Sequence, residues 1–337
     1  MNTQNLKKLL NTFLTKYNIY LVLLVLFIIC SVINPNFLSV LNLSNILRQI
    51  AVTTVLAMGS TILIIGGMLD LSSGSVLALS GVLSIMTYIA AGGVESGSPI
   101  ALLLAFIVGV IVGVVCNVIN ALMVATCKAP PFIATLAMMA MARGVALFIT
   151  RGQNILQLGD FVVIGQGSVL GVPTPIIFLV LITIATWYIL RNTRLGRSVY
   201  AIGGNEEAAV TSGINTVRSK YLSYIINGVF VGIAGVLFMS RVNSGLPNGA
   251  VGYEFQGLTA AVLGGTSFSG GIGTASGTLA GAFIVGFLDN IMNLSGVNSY
   301  IQQIVRGAII ALAVIYDIWS KGRRTKSVLG KIDESGK

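Results

Sequence analysis

Residues 193–220 read TRLGRSVYAIGGNEEAAVTSGINTVRSK, the longest polar interruption in an otherwise apolar chain. Four basic side chains and two glutamates make this segment too costly to place in the hydrocarbon core of a bilayer. Asn205 is a suitable helix N-cap, and Gly213 can end the same helix. Glu206 and Glu207 fall in its first turn, where the helix dipole favours anions. The pattern therefore predicts a short surface helix between Asn205 and Gly213.

A capped, charged helix that projects from a membrane protein is a natural docking site for a soluble partner. The alternative is a solvated loop without a partner, because charged runs between apolar segments are usually just exposed to water. The remainder of the chain bears on that choice.

The composition is that of a helical membrane protein. Hydrophobic residues make up 55% of the 337 residues and charged residues only 9%, with 40 glycines and a mean hydropathy of +0.92. Apolar runs near 20 residues recur, and no stretch alternates as the strands of an outer-membrane barrel do. We therefore predict an all-α, polytopic integral membrane protein with about ten transmembrane helices.

The formal charge of +10 does not indicate a nucleic-acid partner, because of where the basic residues lie. Most of the 20 Lys and Arg fall at or beyond the ends of predicted spans on one side. This bias follows the positive-inside rule, so the side that carries segment 193–220 is predicted to be cytoplasmic. Both termini are predicted on that side as well.

The chain divides into a transmembrane domain and two polar ends. Residues 1–18 are predicted as an amphipathic helix on the lipid of the inner leaflet, residues 19–320 as the transmembrane domain, and residues 321–337 as a basic, polar cytoplasmic tail. The predicted spans are 19–33, 50–69, 76–90, 100–125, 132–149, 174–190, 221–240, 255–263, 273–291 and 301–318.

Two glycine-rich interruptions divide the hydrophobic runs, GGMLDLSSG at 66–74 and GGTSFSGG at 264–271. Each is followed by a helix rich in small residues. Paired interruptions in the two halves of a transporter indicate a path near the midplane, because freed backbone amides can face a polar solute. Chance similarity is the alternative in a chain with 40 glycines. We predict broken or re-entrant segments at both places.

Asp70 is an informative charged residue, because a buried aspartate must be paired or face water. Either Asp70 lines the substrate path, or Asp70 or Ser72 caps the helix that follows. The sequence leaves both alternatives open. The residues predicted for the substrate path are Asp70, Ser72, Ser73, Asn117, Thr266, Ser267, Ser269 and Asn290. For each of them the alternative role is a hydrogen bond between helices.

Several catalytic and binding motifs are absent from the sequence. The chain has no G-x-x-x-x-G-K-[ST] loop, so work against a gradient needs a separate ATP-binding chain. It has no histidine, and Cys30, Cys116 and Cys127 show no CxxC spacing, so we predict neither a metal site nor bound cofactors. The cysteines are predicted as packing residues, and no enzymatic site is indicated.

The pattern Glu-Ala-Ala-x3-Gly at 207–213 resembles the EAA loop of ABC importer permeases, the helix that seats on the ATPase subunit. The longer run GRSVYAIGGNEEAAVTSGI is similar to the permeases of ribose-type and galactose-type monosaccharide importers. LDLSSGSVLALSG, PPFIATL and AAVLGGTSFSGG extend the resemblance over nearly the whole chain. It implies two inverted pseudo-repeats, formed by helices two to five and seven to ten.

The resemblance also implies a set of partners. These are a double-domain ATPase that uses ATP and Mg²⁺, an extracytoplasmic sugar-binding protein that docks on the loops at 151–172 and 243–254, and a second copy of the chain in a homodimer. The location would be a bacterial inner membrane. The residues implied for coupling to the ATPase are Gly203, Gly204, Asn205, Glu206, Glu207, Ala208, Ala209 and Gly213. The alternative function is an ATP-independent transporter, and the sequence does not decide the sugar.

Overall fold

The computed structural model describes residues 18–312 and Ile315, which form a bundle of apolar helices. The α-helices longer than five residues are α1 (Asn18–Ile33), α2 (Val40–Ile65), α3 (Ser73–Ala90), α4 (Pro99–Ala121), α5 (Pro131–Thr150), α6 (Thr174–Asn192), α7 (Arg194–Gly204), α8 (Glu206–Thr211), α9 (Thr216–Val242), α10 (Tyr253–Leu263), α11 (Ala275–Leu294) and α12 (299–312). A π-helical turn, Leu122–Thr126, extends α4. The only strands in these residues are the two-residue pair Ser168–Val169 and Val172–Pro173.

Seven helices in the described part are long and apolar enough to cross a membrane, namely α2, α3, α4, α5, α6, α9 and α11. Among the described residues α1 is a shorter apolar helix, and the short helices α10 and α12 lie at the predicted spans 255–263 and 301–318. The prediction of an all-α, polytopic membrane protein is confirmed. The helix predicted for residues 1–18 and the tail predicted for 321–337 lie outside the described residues, apart from residue 18 in α1.

The core of the bundle is α2, in which every residue from 50 to 65 is buried. It packs against α9, α10 and α11, while α9 packs against α3 and α4. Helices α4, α5 and α6 are peripheral and leave large apolar side chains exposed, such as Leu103, Phe148 and Leu181. Apolar surface of this kind is stable in contact with lipid or with another membrane chain.

Glycines bring the backbones of α4 and α9 into direct contact. A Cβ atom added at Gly232 would lie 2.7 Å from the carbonyl oxygen of Gly109, and one added at Gly228 would lie 2.6 Å from that of Gly113. No side chain separates the two helices along this line, which we call the glycine seam (Gly109, Gly113, Gly228 and Gly232). Small residues at membrane helix interfaces permit such close packing.

The helix packing has the form of an inverted repeat. Helix α9 packs on α3 and α4 as α2 packs on α10 and α11, and α3 contacts α4 as α10 contacts α11. Helix α2 ends, and α9 begins, at the end of the bundle that carries α7 and α8, because Gly203 in α7 lies against Ile65. The two central helices are therefore antiparallel, and α2 to α4 correspond to α9 to α11.

This correspondence corrects the pairing of the glycine-rich interruptions. Segment 66–72 precedes α3, so its counterpart is segment 243–252, which precedes α10. The interruption at 264–271 instead precedes α11, and its counterpart is the connection between α3 and α4. Inside the bundle, segment 243–252 meets the start of α3, immediately after segment 66–72, where a Cβ atom added at Gly74 would lie 2.7 Å from the carbonyl oxygen of Ala250. Shared glycine content was a misleading guide to the symmetry.

The start of α2 also differs from the prediction. The helix begins at Val40 rather than near residue 50, with the Ser39 hydroxyl accepting a hydrogen bond from the Asn42 backbone N–H at 3.3 Å. Polar residues in the first turns of α2 lowered its hydropathy and concealed it. Cys127 is exposed, so the packing role predicted for it is wrong, while Cys30 and Cys116 are buried as expected.

Candidate functional site

Helix α8 has the start and end that the sequence predicts. Asn205 is its N-cap, and the Asn205 side chain accepts a hydrogen bond from the Ala208 backbone N–H at 2.9 Å. Gly213 follows the helix with φ = +80°, and the next N–H, that of Ile214, donates to the Ala209 carbonyl at 3.0 Å. Glycine adopts this left-handed conformation without the strain that a Cβ atom would introduce.

Helix α8 forms a small projection on the surface of the bundle. Ala209 is its one buried residue, whereas Glu206, Glu207 and Ala208 are exposed. A salt bridge of 2.6 Å between Glu206 and Lys220 joins the projection to the first turns of α9. The short side chains of its exposed face would let a partner surface approach the backbone closely.

Helix α7, which precedes α8, was not predicted from the sequence. Its N-cap is Thr193, whose hydroxyl accepts a hydrogen bond from the Gly196 N–H at 3.1 Å. Leu195, Val199 and Ile202 recur at helical spacing, and the last two are buried. That spacing is the signal that could have revealed α7, but the surrounding charges made the whole segment read as a loop.

Gly203 connects the predicted coupling residues to both glycine-rich interruptions. The Gly271 N–H donates to the Ile65 carbonyl at 2.8 Å, and Gly203 packs directly on these two residues. The Tyr200 hydroxyl donates to the Gly273 carbonyl at 2.7 Å, and burial raises the pKa of Tyr200. Gly204 differs from Gly203, because a Cβ atom added there would meet nothing within 4 Å.

A cavity of about 690 Å³ lies beside α8. It is bounded by Glu206 and Glu207 on α8, by the first turn of α9, and by the turn at 124–131 that connects α4 to α5. The exposed helix α8 therefore has a cavity next to it.

Four of the residues predicted for the substrate path form one buried hydrogen-bonded cluster. Asp70 is 1% exposed and accepts from the Ser72 N–H at 2.8 Å and from the Ser73 hydroxyl at 2.9 Å. The Asn227 side-chain amide donates to the Asp70 carboxylate at 2.7 Å and to the side-chain oxygen of Asn117 at 2.9 Å. Asn227 had escaped the sequence reasoning, although a single Asn in an apolar span is a recognisable signal.

The Asp70 carboxylate is buried, and its described hydrogen-bond partners are groups of the protein. Ser72 is the N-cap of α3, but its side chain makes no capping bond, and Asp70 accepts from the N–H of Ser72 itself. Asn227 lies eleven residues into α9, about 16 Å from the start of that helix. The cluster therefore fastens segment 66–72 to α9 at depth in the bundle.

The other four predicted residues lie elsewhere. Asn290 exchanges two amide hydrogen bonds with Asn42, at 3.1 and 2.9 Å, which joins α11 to α2. Thr266 is 1% exposed, Ser267 is buried, and Ser269 is exposed in the turn before α11. The structure thus brings Asp70, Ser72, Ser73 and Asn117 together and keeps Thr266, Ser267, Ser269 and Asn290 apart from them.

A separate cavity of about 530 Å³ lies between α10, α11 and α12. None of the eight predicted path residues lines it. Its charged residues are Asp289 and Arg306, which form a salt bridge of 2.8 Å. In the sequence these two charges are isolated residues within separate predicted spans. The structure places them side by side.

The two loops at the opposite end of the bundle are joined to each other. Ile155 and Gly245 exchange backbone hydrogen bonds of 2.9 and 2.8 Å. The Arg143 guanidinium reaches the same region and donates to the carbonyls of Pro247 and Gly249 at 2.6 and 2.8 Å. Leu170, at the tip of the short hairpin, is 99% exposed.

An inverted repeat of membrane helices, with two re-entrant segments inside it and a capped charged helix at one end, defines a polytopic membrane transport protein. The chain belongs to the family described as branched-chain amino acid transport system / permease component, which matches residues 42–314.

Curated relatives resemble most of the chain. It is 44% identical over 302 residues to the ribose import permease protein RbsC of Bacillus subtilis (strain 168), covering 88% of this chain and 91% of the relative. It is 36% identical to the L-arabinose transport system permease protein AraH of Escherichia coli (strain K12), covering 92% and 93%. The D-allose transport system permease protein AlsC of the same strain is 35% identical, covering 90% and 92%. No solved structure matches significantly.

These comparisons confirm the resemblance to sugar permeases that the motifs indicated.

Proposed function

We propose that this chain is the membrane-spanning permease subunit of an ATP-driven importer for a monosaccharide. The observation that carries the proposal is the similarity, at 35–44% identity over about nine tenths of the chain, to permeases named for ribose, L-arabinose and D-allose. Ribose or a galactose-type sugar is the substrate that the motifs favour, and the relatives named for ribose support the first of these.

The coupling partner is a double-domain ATPase, which binds ATP and Mg²⁺ and seats on α8. The residues that we assign to this coupling are Gly203, Gly204, Asn205, Glu206, Glu207, Ala208, Ala209 and Gly213. The exposed ones can touch the ATPase, whereas Ala209 and Gly203 pack within the bundle. Support comes from the exposure of α8 and from its rigid caps at Asn205 and Gly213. In this arrangement the chain itself hydrolyses nothing.

The packing of α7 supplies a route for the movement. Gly203 lies against Ile65 at the start of one interruption and Gly271 at the end of the other. A displacement of α8 by the ATPase therefore reaches both interruptions through α7. From Ile65 it would pass to segment 66–72, which is attached to α9 through Asp70.

The remaining assignments follow from the same family of importers. An extracytoplasmic sugar-binding protein docks on the joined loops at 151–172 and 243–254, where Leu170 offers an exposed apolar contact. Two copies form a homodimer, in which the apolar surfaces of peripheral helices are covered. The chain lies in a bacterial inner membrane, with both termini and α8 in the cytoplasm.

Uptake measurements test the proposal. Cells that express the chain with its ATPase and binding protein should accumulate at least one of labelled D-ribose, L-arabinose, D-allose and D-galactose. Accumulation should stop when the catalytic residues of the ATPase are inactivated. Uptake that persists without ATP hydrolysis would instead establish the alternative, an ATP-independent transporter of a small polar solute.

A further inference from the structure

The cavity between α10, α11 and α12 combines an aromatic side chain with polar groups on three walls. Its polar and aromatic lining residues are Phe255, Gln256 and Thr259 from α10, Asp289 from α11, and Ser299, Gln303 and Arg306 from α12 or its first turn. The remaining lining residues are mostly aliphatic, for example Val285 and Ile309. We propose that this cavity binds a neutral monosaccharide during its passage through the permease, an inference that rests on the proposed function.

The size of the cavity fits a small solute. Its volume of about 530 Å³ lies within the range of roughly 300–1,000 Å³ that is usual for small-molecule sites. Such sites are mainly apolar with a few polar groups that fix the orientation of the ligand. A pentose or hexose would fit together with several waters. Such partly hydrated binding is loose, which a transported sugar needs because it must dissociate again.

The electrostatics favour an uncharged solute. Asp289 and Arg306 form the 2.8 Å salt bridge through Oδ1 and Nε, and their side chains are 3% and 34% exposed. The two charges offset each other, so the cavity has no excess charge to attract an ion. A buried pair of this kind also costs desolvation energy, which a purely structural contact between apolar helices does not require.

The same pair presents a donor and an acceptor next to each other. Among the described residues, no hydrogen bond joins Oδ2 of Asp289 or Nη1 of Arg306 to another protein group. A sugar hydroxyl both donates and accepts hydrogen bonds, so two neighbouring hydroxyls can satisfy both atoms at once. Phe255 is 45% exposed and offers an apolar face for the C–H side of a sugar ring.

Helix α10 connects this cavity to the coupling end of the bundle. It has only eleven residues, about 16 Å, and it ends at Leu263 with Gly264 as its C-cap. The interruption that follows α10 reaches Gly271, which lies against Gly203 of α7. The backbones of α10 and α11 touch at Gly264 and Gly277, so a shift of α7 would move the two together relative to α12, which would change the affinity of the cavity during the transport cycle.

Uptake by matched variants is the first test. Phe255→Leu and Gln303→Ala should each lower the rate of sugar uptake below saturation by about fivefold, the effect expected for losing one contact worth about 1 kcal/mol. Phe148→Leu makes the same chemical change at an exposed position that lines none of the cavities described above, and it should transport as the unaltered protein does. Each rate is normalised to the amount of permease in the membrane.

Protection from a thiol reagent is the second test, and it does not depend on transport. Gln303→Cys is labelled with a maleimide in membrane vesicles, in a Cys127→Ser background because Cys127 is the exposed native cysteine among the described residues. A concentration series of D-ribose, L-arabinose, D-allose or D-galactose should slow labelling for the sugar that the system imports. Labelling of Phe148→Cys should be unchanged by that sugar.

The outcomes separate this inference from the proposed function. ATP-dependent uptake together with unaltered labelling of Gln303→Cys and unaltered rates for Phe255→Leu overturns the sugar site alone. Uptake that does not require the ATPase overturns the proposed function, whatever the labelling shows. Slower labelling in the presence of the imported sugar, with no effect at Phe148→Cys, supports the site.

Discussion

Replacing Gly203 by alanine should disrupt the contact between α7 and the two glycine-rich interruptions. The added Cβ atom would lie 2.6 Å from the Gly271 backbone nitrogen and 2.8 Å from the Ile65 carbonyl carbon, and closer still to the Ile65 oxygen. All of these are backbone atoms, so no side-chain rotation relieves the overlap. Either α7 or the backbone at 65 and 271 must move.

The magnitude follows from the crowding and from the hydrogen bond beside it. Overpacking of a close-packed site costs about 1–3 kcal/mol, and losing the 2.8 Å bond from Gly271 N–H to the Ile65 carbonyl adds about 1 kcal/mol. We expect Gly203→Ala to lower the free energy of unfolding by about 2–4 kcal/mol, or to retain stability by displacing α7 and thereby lowering uptake.

Gly204→Ala is the matched control. It lies one residue further along the last turn of α7, its φ is not in the left-handed region, and its added Cβ atom meets nothing within 4 Å. Gly204 is itself assigned to coupling, so the control applies to packing, and thermal unfolding of the purified permease in detergent compares the two variants. If Gly203→Ala unfolds at the same temperature as Gly204→Ala and retains the uptake of the unaltered protein, the packing at Gly203 does not have the role assigned to it.

Three further predictions concern the buried cluster and the projection. Asp70→Asn places an amide where only an acceptor fits, so hydrogen bonds from Ser73 or Asn227 are lost. This loss should lower the free energy of unfolding by about 1–3 kcal/mol, measured as lower thermal stability. Unchanged stability and uptake would remove Asp70 from the site. Gly213→Val, at φ = +80°, should cost about 1–2 kcal/mol locally and weaken ATPase pull-down while membrane insertion is retained; undiminished association would contradict the coupling assignment. Glu206→Gln removes a surface ion pair and should change stability by less than about 1 kcal/mol, so a large loss of stability would show that the link to Lys220 matters more than its exposure implies.

Hydropathy predicted the apolar helices well because each span must satisfy its own backbone hydrogen bonds in lipid. The caps of α8 were equally predictable, since the side chain of Asn205 and the backbone freedom of Gly213 act within a few residues of themselves. These features depend only on residues that are close to one another in the sequence, so the sequence alone is enough to predict them.

The remaining features depend on residues that are distant in sequence. Gly203 requires a glycine only because Ile65 and Gly271 converge on it, which no local pattern reveals. Asn227 stands alone in an apolar span until the fold places it 2.7 Å from Asp70. The glycine interruptions were paired by composition, whereas the symmetry is set by which helices pack together. The proposed sugar cavity likewise exists only once α10, α11 and α12 are assembled.

The glycine seam has a consequence for the transport cycle. Gly109 and Gly113 lie directly on Gly228 and Gly232, so along the glycine seam α4 and α9 have no side chains that could repack to a second arrangement. Sliding of α4 along α9 would bring main-chain atoms of the two helices into steric clash. We therefore expect α4 and α9 to move as one unit. Helices α10 and α11 are in equally close main-chain contact, at Gly264 and Gly277. We therefore expect the alternation between outward and inward access to arise from displacement of the α10–α11 pair relative to the α4–α9 pair.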